Sequence, residues 1–197
     1  MSIAAPTFIL ASASPRRKSL LEACGLTFTV EASDAHEERL AGESPRYMVE
    51  RLAKLKAQDI SRRNPEAWVI GCDTDVYLAD QILGKPKDVE DACRLLSLIQ
   101  GKTHSVWGAF ALLRHADNVC EVQAHETRVT MASMSPAVIR AYVATGEPMD
   151  KAGAYAAQGI CAQFIERIEG SYTNVVGLNV CAFMQALRNR GLLTDGR

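Results

Sequence analysis

The stretch Thr7–Gly25, TFILASASPRRKSLLEACG, predicts how the chain begins to fold. Its first five residues are almost all apolar, which is typical of a short buried strand. Pro15 suits the first position of a helix, because proline lacks the N–H group that this position leaves unsatisfied, and Gly25 is typical of a helix end. The segment therefore indicates a strand, a tight polar turn and a helix.

Further helices and strands are predicted along the chain. Segments with apolar residues on one helical face, bounded by capping residues or glycine, predict helices over residues 45–62, 88–100, 135–145 and 179–190. Apolar or alternating segments predict strands over residues 26–30, 68–72, 75–78, 82–83, 104–114, 119–131 and 159–168. Residues 31–44 and 147–159 lack both patterns and are predicted to be loops.

The order of these elements predicts an α/β fold. Strands and helices interleave, which favours parallel pairing, whereas the predicted hairpin of His104–Arg114 with Val119–Met131 is antiparallel. We therefore expect an elongated mixed β-sheet flanked by helices. The expected arrangement is one domain, residues 1–197, with two lobes and a central cleft.

The composition is that of an ordinary globular protein. Of the 197 residues 48% are hydrophobic, and the formal net charge is −1, which gives no indication of a broad surface for nucleic acid or a membrane. No apolar stretch approaches the roughly 20 residues that cross a bilayer. The six cysteines include no C-x-x-C pair, so we expect mostly buried free thiols and a reducing, cytoplasmic location.

The polar turn Ser12–Arg17, SASPRR, is a candidate phosphate site. It places two hydroxyls and two guanidinium groups where a strand meets the N-terminus of a helix. Free backbone N–H groups and the positive end of the helix dipole favour anions there, and an arginine side chain can form a bidentate hydrogen bond with two phosphate oxygens. The alternative is an ordinary helix start with two exposed arginines.

Lys56 lies in the apolar stripe of the helix predicted over residues 45–62. On a helical wheel it projects between Leu52 and Val49, whereas Lys54 projects to the polar side. One explanation is that its aliphatic stem covers apolar surface while its ammonium group reaches water. The other is that the ammonium group binds an anion.

Asp73 follows the apolar run 68–72 directly and is the best-placed carboxylate for chemistry, because ligands of α/β sheets gather at the carboxyl ends of strands. The acidic residues of Asp34–Glu38 either supply a second metal ligand or base, or form a solvated loop. His36 and His104 lack the spacing and paired cysteines of a zinc site.

Seven motifs occur in the order seen in the Maf family, and the resemblance spans about Phe8 to Leu178. They are ILASASPRR (9–17), ERLAKLKA (50–57), GCDTD (71–75), GKPKD (84–88), GKTHSV (101–106), DKAGAYAAQG (150–159) and GSYTNVVGL (170–178). The resemblance implies an inosine triphosphatase-like fold. It also implies a hydrolase that cleaves nucleoside triphosphates to monophosphate and pyrophosphate with Mg²⁺ or Mn²⁺.

The resemblance also implies roles for particular residues. Asp73 would be the proton acceptor and, with Glu37, the metal ligand. The groups that would hold the triphosphate are Ser12, Arg16, Arg17, Lys56 and Lys85, and both lysines count among the catalytic groups. Selectivity for dTTP and UTP would rest on Arg16, Thr74 and Gln158. The 7-methyl-GTP branch of the family tends to have an aromatic residue at the position of Arg16 and a glutamate at the position of Thr74.

Some features leave alternatives open. Asp75, Gly84 and Asn179 depart from the residues most frequent in the family, and Asp75 could alter metal binding or point away from the site. A nucleotide-binding regulator of cell division and septum formation with little catalysis is the main alternative function. An aspartyl-phosphate phosphatase is disfavoured, because the chain has no late pair of adjacent aspartates. The expected partner is a nucleoside triphosphate, without nucleic acid or membrane, and a homodimer is left open.

Overall fold

The structure, a computed structural model, describes residues 6–79 and 81–193. Its helices are α1 (Pro15–Ala23), α2 (Pro45–Arg63), α3 (Val89–Ile99), α4 (Pro136–Val143), α5 (Tyr172–Val176) and α6 (Val180–Asn189). Its strands are β1 (Phe8–Leu10), β2 (Thr29–Val30), β3 (Trp68–Leu78), β4 (Gln81–Leu83), β5 (Thr103–Arg114), β6 (Val119–Met131) and β7 (Ile165–Glu169). Short 3₁₀ helices span Ala152–Ala154 and Ile160–Phe164.

The strands form one mixed sheet. In the described part of the chain it has seven strands in the order β2-β1-β3-β5-β6-β7, with β4 paired to β3. β1 is parallel to both β2 and β3, whereas β4 is antiparallel to β3 and β7 is antiparallel to β6. The predicted α/β fold with a mixed sheet and flanking helices is confirmed.

The described residues divide into two compact units. The first unit contains residues 6–73, 108–125 and 177–193, and the second contains residues 74–79, 81–107 and 126–176. The boundary falls inside β3, β5 and β6.

Each unit has its own apolar core. In the first unit the fully buried residues include Leu10, Leu21, Ile70, Phe110 and Phe183. In the second unit they include Leu83, Leu96, Ile99, Val129 and Met131. Burial of each large apolar side chain contributes about 1.5–3 kcal/mol, so these clusters hold the strands and helices of each unit together.

Four helices begin at a capping side chain. Ser44, Asp88, Ser135 and Asn179 each accept a hydrogen bond from a backbone N–H in the first turn of α2, α3, α4 and α6. These bonds satisfy donors that a helix start leaves unpaired. Asn179 departs from the family's frequent proline, and its side chain is what caps α6.

The central strand β3 is longer than predicted. The sequence predicts a strand over Trp68–Cys72 that ends before Asp73, but β3 continues to Leu78, because it runs directly into the predicted hairpin with β4. The prediction that Asp73 lies at the end of a strand is therefore wrong. The parallel pairing of β3 with β1 ends at Ile70, which lies opposite Leu10 and three residues before Asp73.

Residues 160–164 form a 3₁₀ helix, so the predicted strand over Gly159–Ile168 is wrong in its first half. β7 begins only at Ile165. The carboxylate of Glu147 accepts the N–H groups of Ile160 and Cys161 at 2.8 and 3.1 Å. Donors held in this way are not available to a strand ladder, which explains the difference.

β2 and the cysteines also differ from expectation. β2 spans Thr29–Val30 rather than residues 26–30, because Leu26 donates its N–H to Leu21 at the end of α1. All six cysteines are free, as expected, but Cys72 and Cys161 alone among them are buried, and two are exposed.

None of the helices in residues 6–79 and 81–193 combines the length and the hydropathy of a membrane-spanning segment.

Candidate active site

The turn after β1 is organised around Ser12, which is only 8% exposed. Its hydroxyl oxygen accepts hydrogen bonds from the Ser14 N–H at 3.3 Å and from Arg17 Nη1 at 3.0 Å. Arg17 also donates from Nε to the carbonyl oxygen of Gly177 at 3.0 Å. Arg17 is therefore fixed from two sides, and it is not the exposed arginine of the alternative interpretation.

The N-terminus of α1 has the features of an anion site. Ser14 is extended and its side chain does not cap the helix, Pro15 occupies the first turn, and that turn has no acidic residue. No carboxylate of this turn therefore neutralises the backbone N–H groups or the positive end of the helix dipole, which can instead attract a bound anion. Arg16 is half-buried at the same helix start.

Lys56 joins the two carboxylates that the sequence predicts as metal ligands. Its Nζ lies 2.7 Å from Asp73 Oδ1 and 2.8 Å from Glu37 Oε2. The side chain is 12% exposed. Its place in the apolar stripe of α2 is thus explained by ion pairs with the buried Asp73 and the exposed Glu37. One sequence alternative was an anion at this ammonium group, but it did not specify carboxylates of the chain itself.

Gly71 sets the distance between α2 and β3. A Cβ atom at Gly71 would overlap the carbonyl oxygen of Ala53, and it would lie 2.8 Å from the backbone nitrogen of Ala57. Glycine within a strand is typical of such a close backbone approach. The approach brings Lys56 on α2 to Asp73, two residues further along β3.

The acidic loop, residues 31–44, is fastened along α2. Arg63 pairs with Glu31 at 2.9 Å, and the Ser33 hydroxyl donates to Asp59 at 2.9 Å. This hydrogen bond is the largest cause that holds the pKa of Asp59 below its ordinary value. Arg51 binds Glu43 further along the loop. The loop is thus anchored to α2, although the acidic residues Asp34, Glu37 and Glu38 themselves are exposed.

Asp73 is 6% exposed, and its Oδ2 atom is buried without a hydrogen-bond partner among residues 6–79 and 81–193. The preceding residue, Cys72, is buried, and burial raises the pKa of its thiol. The positive charges of Arg17 and Lys56 act on the same thiol and oppose this rise, whereas Asp73 adds to it. Arg17, Lys56 and Asp73 therefore all lie within electrostatic range of the Cys72 thiol in the first unit.

The remaining predicted site residues belong to the second unit. Thr74 is half-buried in β3, and alternation along the strand turns it away from the face that carries Asp73. Lys85 and Gln158 are both exposed. The Gly84 carbonyl oxygen accepts a hydrogen bond from the Gly153 N–H at 3.1 Å. This bond attaches residues 147–159, which contain Gln158, to the residue that precedes Lys85.

Asp75 lies in the extended part of β3, two residues after Asp73. Because the strand continues, the two side chains point to the same face. Asp75 is buried. Of the two sequence alternatives for Asp75, pointing away from the face of Asp73 is therefore excluded.

Two carboxylates of the first unit are the candidate ligands of a divalent metal ion. Within residues 6–79 and 81–193, no three His, Cys, Asp or Glu residues are grouped so that they could hold a metal ion. Asp73 and Glu37 nevertheless reach one common cation, the Lys56 ammonium, and Asp73 Oδ2 has no hydrogen-bond partner in the same described ranges. Mg²⁺ is usually held by one or two carboxylates plus phosphate and water, so this pair fits it.

The zinc alternative finds no support in the described residues. His36 is exposed in the acidic loop. His104 is buried in the second unit, where its Nε2 lies 2.8 Å from the Tyr155 hydroxyl, and burial lowers its pKa to about 4.

Sequence reasoning missed two glycines and one carboxylate that shape these segments. Gly71 interrupts an apolar strand, which is a recognisable signal of close backbone approach. Gly177 supplies a carbonyl oxygen to Arg17 across 160 residues of sequence, and Glu147 holds residues 160–161. Neither contact has a local sequence pattern that predicts it.

The chain is similar to curated proteins over nearly its whole length. It is 46% identical over 193 residues to the dTTP/UTP pyrophosphatase of Geotalea uraniireducens, covering 98% of this chain and 100% of that protein. The protein of the same name from Desulfotalea psychrophila is 45% identical, covering 91% of this chain and 92% of the relative.

A solved structure shares the fold. The Staphylococcus aureus Ham1 protein superposes with a TM-score of 0.50 at 14% identity, covering 94% of this chain and 99% of that chain. The sequence model of one family, described as Maf-like protein, matches residues 7–190. The chain belongs to the Maf family.

Proposed function

We propose that the chain hydrolyses nucleoside triphosphates, with dTTP and UTP preferred, to the nucleoside monophosphate and pyrophosphate. The observation that carries the proposal is the buried Asp73 carboxylate, which Lys56 holds through Oδ1 while Oδ2 has no hydrogen-bond partner in the part of the chain that the structure describes. Relatives at 45–46% identity bear the name dTTP/UTP pyrophosphatase, which supports the same reaction here.

The phosphate groups bind at the turn between β1 and α1. The N–H groups of the first helical turn, the Ser12 hydroxyl and the guanidinium groups of Arg16 and Arg17 supply hydrogen bonds and positive charge. Arg17 is held in place by Ser12 and Gly177, so little of its conformational freedom is lost on binding. Lys56 and the exposed Lys85, which follows β4, are the other two side chains that we assign to the triphosphate.

Asp73 acts as the general base. When water adds to the α-phosphorus, the bond to the bridging oxygen breaks, pyrophosphate leaves and the water proton passes to Asp73 Oδ2. Lys56 fixes the carboxylate through its other oxygen, which orients Oδ2 for this transfer. A positioned base of this kind contributes about 10²–10⁴ in rate.

Asp73 and Glu37 would hold the Mg²⁺ or Mn²⁺ ion. A bound divalent ion supplies neutralisation of the negative charge that develops on the phosphates. Lys56 binds both carboxylates in the structure, so the ammonium group and a metal ion share the same ligands.

Substrate selection is assigned to Arg16, Thr74 and Gln158. The dTTP/UTP relatives support a pyrimidine preference. Changing Arg16→Trp together with Thr74→Glu should shift the preference from pyrimidine triphosphates toward purine triphosphates, measured as the ratio of kcat/KM for dTTP and GTP. An unchanged ratio would contradict the assignment of these two residues.

The overall test is pyrophosphate release from a panel of nucleotides with Mg²⁺ or Mn²⁺. We expect release with dTTP and UTP, and we expect Asp73→Asn to lower kcat by about 10² or more while the protein remains folded. Wild-type turnover in Asp73→Asn would exclude Asp73 as the base. Nucleotide binding without pyrophosphate release by the wild-type protein would favour the regulator of cell division instead.

We also propose a cytoplasmic location. It is supported by the six free cysteines, which a reducing compartment preserves, and by the intracellular nature of a nucleoside triphosphate substrate.

A further inference from the structure

The carboxylate of Glu147, in the second unit, collects three hydrogen-bond donors. Its Oε2 accepts the Ile160 N–H at 2.8 Å, and its Oε1 accepts the Cys161 N–H at 3.1 Å and the Tyr142 hydroxyl at 2.9 Å. Two consecutive backbone donors on one carboxylate fix the backbone geometry more firmly than a single contact, and hydrogen bonds to a charged acceptor are the stronger kind.

Glu147 also determines the residue that follows Gln158. Gly159 has φ +91°, a conformation that suits glycine, and a Cβ atom there would overlap Glu147 Oε2 and lie 3.0 Å from Cδ. The Gly159 backbone therefore lies directly against the carboxylate. Gln158 itself is exposed, but its peptide group continues into this contact.

The segment before Gln158 is held by a second buried contact. The Tyr155 hydroxyl lies 2.8 Å from His104 Nε2, and both side chains are buried. The exposed Gln158 thus extends from a short segment that is fastened on both sides.

Glu147 is charged at neutral pH. Burial tends to raise its pKa, but the hydrogen bonds from Ile160, Cys161 and Tyr142 and the positive charge of Lys151 together outweigh burial and leave the pKa below its ordinary value. The charge is what makes these hydrogen bonds strong, and the neutral amide of glutamine would present a donor as well as an acceptor to the same groups.

We propose that Glu147 is a positioning residue for substrate selection, because it fixes the backbone at Gly159–Cys161 and thereby the amide group of Gln158. The inference rests on the proposed function. An amide has one donor and one acceptor side, which matches the O4 and N3–H groups shared by thymine and uracil. A correctly placed amide therefore reads both pyrimidines, and a displaced one reads neither.

The experiment compares Glu147→Gln, Gln158→Ala and the double variant. For Glu147→Gln we expect the KM for dTTP and UTP to rise about tenfold with a smaller change in kcat, because binding is lost rather than chemistry. The KM for GTP should change less. Glu166→Gln, which removes the same charge from an exposed position on β7, is the matched control and should keep wild-type kinetics.

The double variant separates positioning from a general structural effect. If Glu147 acts through Gln158, the KM of the double variant for dTTP and UTP should be no higher than that of Gln158→Ala alone. The effects of two substitutions are not additive when one residue acts through the other. Fully additive losses, or a wild-type KM in folded Glu147→Gln, would overturn the inference. Tyr142→Phe, which removes one donor and keeps the carboxylate, serves if Glu147→Gln does not fold, and a smaller rise in KM is expected.

The two proposals fail in different ways. If the wild-type protein neither cleaves nor binds any pyrimidine triphosphate, the proposed function fails and this inference fails with it. If the wild-type protein cleaves dTTP, and Gln158→Ala loses selectivity while Glu147→Gln keeps it, only the role of Glu147 is wrong.

Discussion

At the scale of single residues, Lys56 decides the charge balance of the candidate site. A largely buried ammonium group is stabilised by nearby anions, and here it has two, Asp73 and Glu37. The same two carboxylates are the proposed metal ligands. Lys56 therefore stabilises the carboxylates in the absence of a metal ion and opposes a second cation at the same position.

This arrangement predicts opposite effects of one substitution. Lys56→Met should lower kcat/KM for dTTP by about 10² or more, because a phosphate contact and the orientation of Asp73 are both lost. In the nucleotide-free protein it should raise the affinity for Mn²⁺ about tenfold or more, since a unit charge about 4 Å away contributes roughly 4 kcal/mol at an effective dielectric constant of 20.

Mn²⁺ affinity can be measured by electron paramagnetic resonance without any substrate. Lys54→Met removes a lysine from the exposed side of the same helix and should change neither quantity. A Mn²⁺ affinity that falls in Lys56→Met would mean that the lysine does not compete for the carboxylates.

At the scale of secondary structure elements, the contact of α2 with β3 depends on the absence of a side chain at Gly71. Gly71→Ala should lower the free energy of unfolding by about 1–3 kcal/mol or more, because the added methyl group meets the backbone of α2. Urea unfolding measures this. Adding Ala57→Gly should not restore stability, since the overlap with the Ala53 carbonyl remains; a Gly71→Ala protein within 0.5 kcal/mol of the wild type would contradict the close approach.

Much of the fold is predictable because its signals are local. The strand, turn and helix of Thr7–Gly25, and the helix starts at Asp88 and Ser135, follow from patterns of a few residues. The length of β3 and the 3₁₀ helix at Ile160–Phe164 do not, because the first depends on pairing with β4 and the second on the distant carboxylate of Glu147.

In the candidate site, too, features with a local sequence signal are predictable and contacts between distant residues are not. The unusual position of Lys56 is visible on a helical wheel, but its partner lies on another element, 17 residues away in sequence. The anion-binding character of the turn at Ser12 is likewise predictable from residue types. The contact that fixes Arg17 comes from Gly177, and no spacing in the sequence indicates it.

At the scale of the whole molecule, stability should depend on pH through His104. Its pKa falls from 6.5 to about 4 in the folded protein because burial disfavours the charged form. Below pH 6.5 the unfolded chain takes up a proton that the folded chain does not, so the stabilisation present above pH 6.5 is lost progressively until the pH reaches about 4. The loss amounts to roughly 3 kcal/mol at 1.36 kcal/mol for each pH unit.

Urea unfolding at a series of pH values from 7 to 4 measures this loss. His104→Gln can keep a hydrogen bond to Tyr155 but does not titrate, so its stability should fall less steeply over this range, whereas substitution of the exposed His36 should leave the wild-type slope. Burial also lowers the pKa of His125, but this histidine is present in both proteins, so the difference between wild type and His104→Gln isolates the contribution of His104 from those of His125 and the carboxylates. Identical slopes for the two proteins would show that His104 takes up its proton in the folded state as readily as in the unfolded chain, and burial would then not be what keeps it neutral.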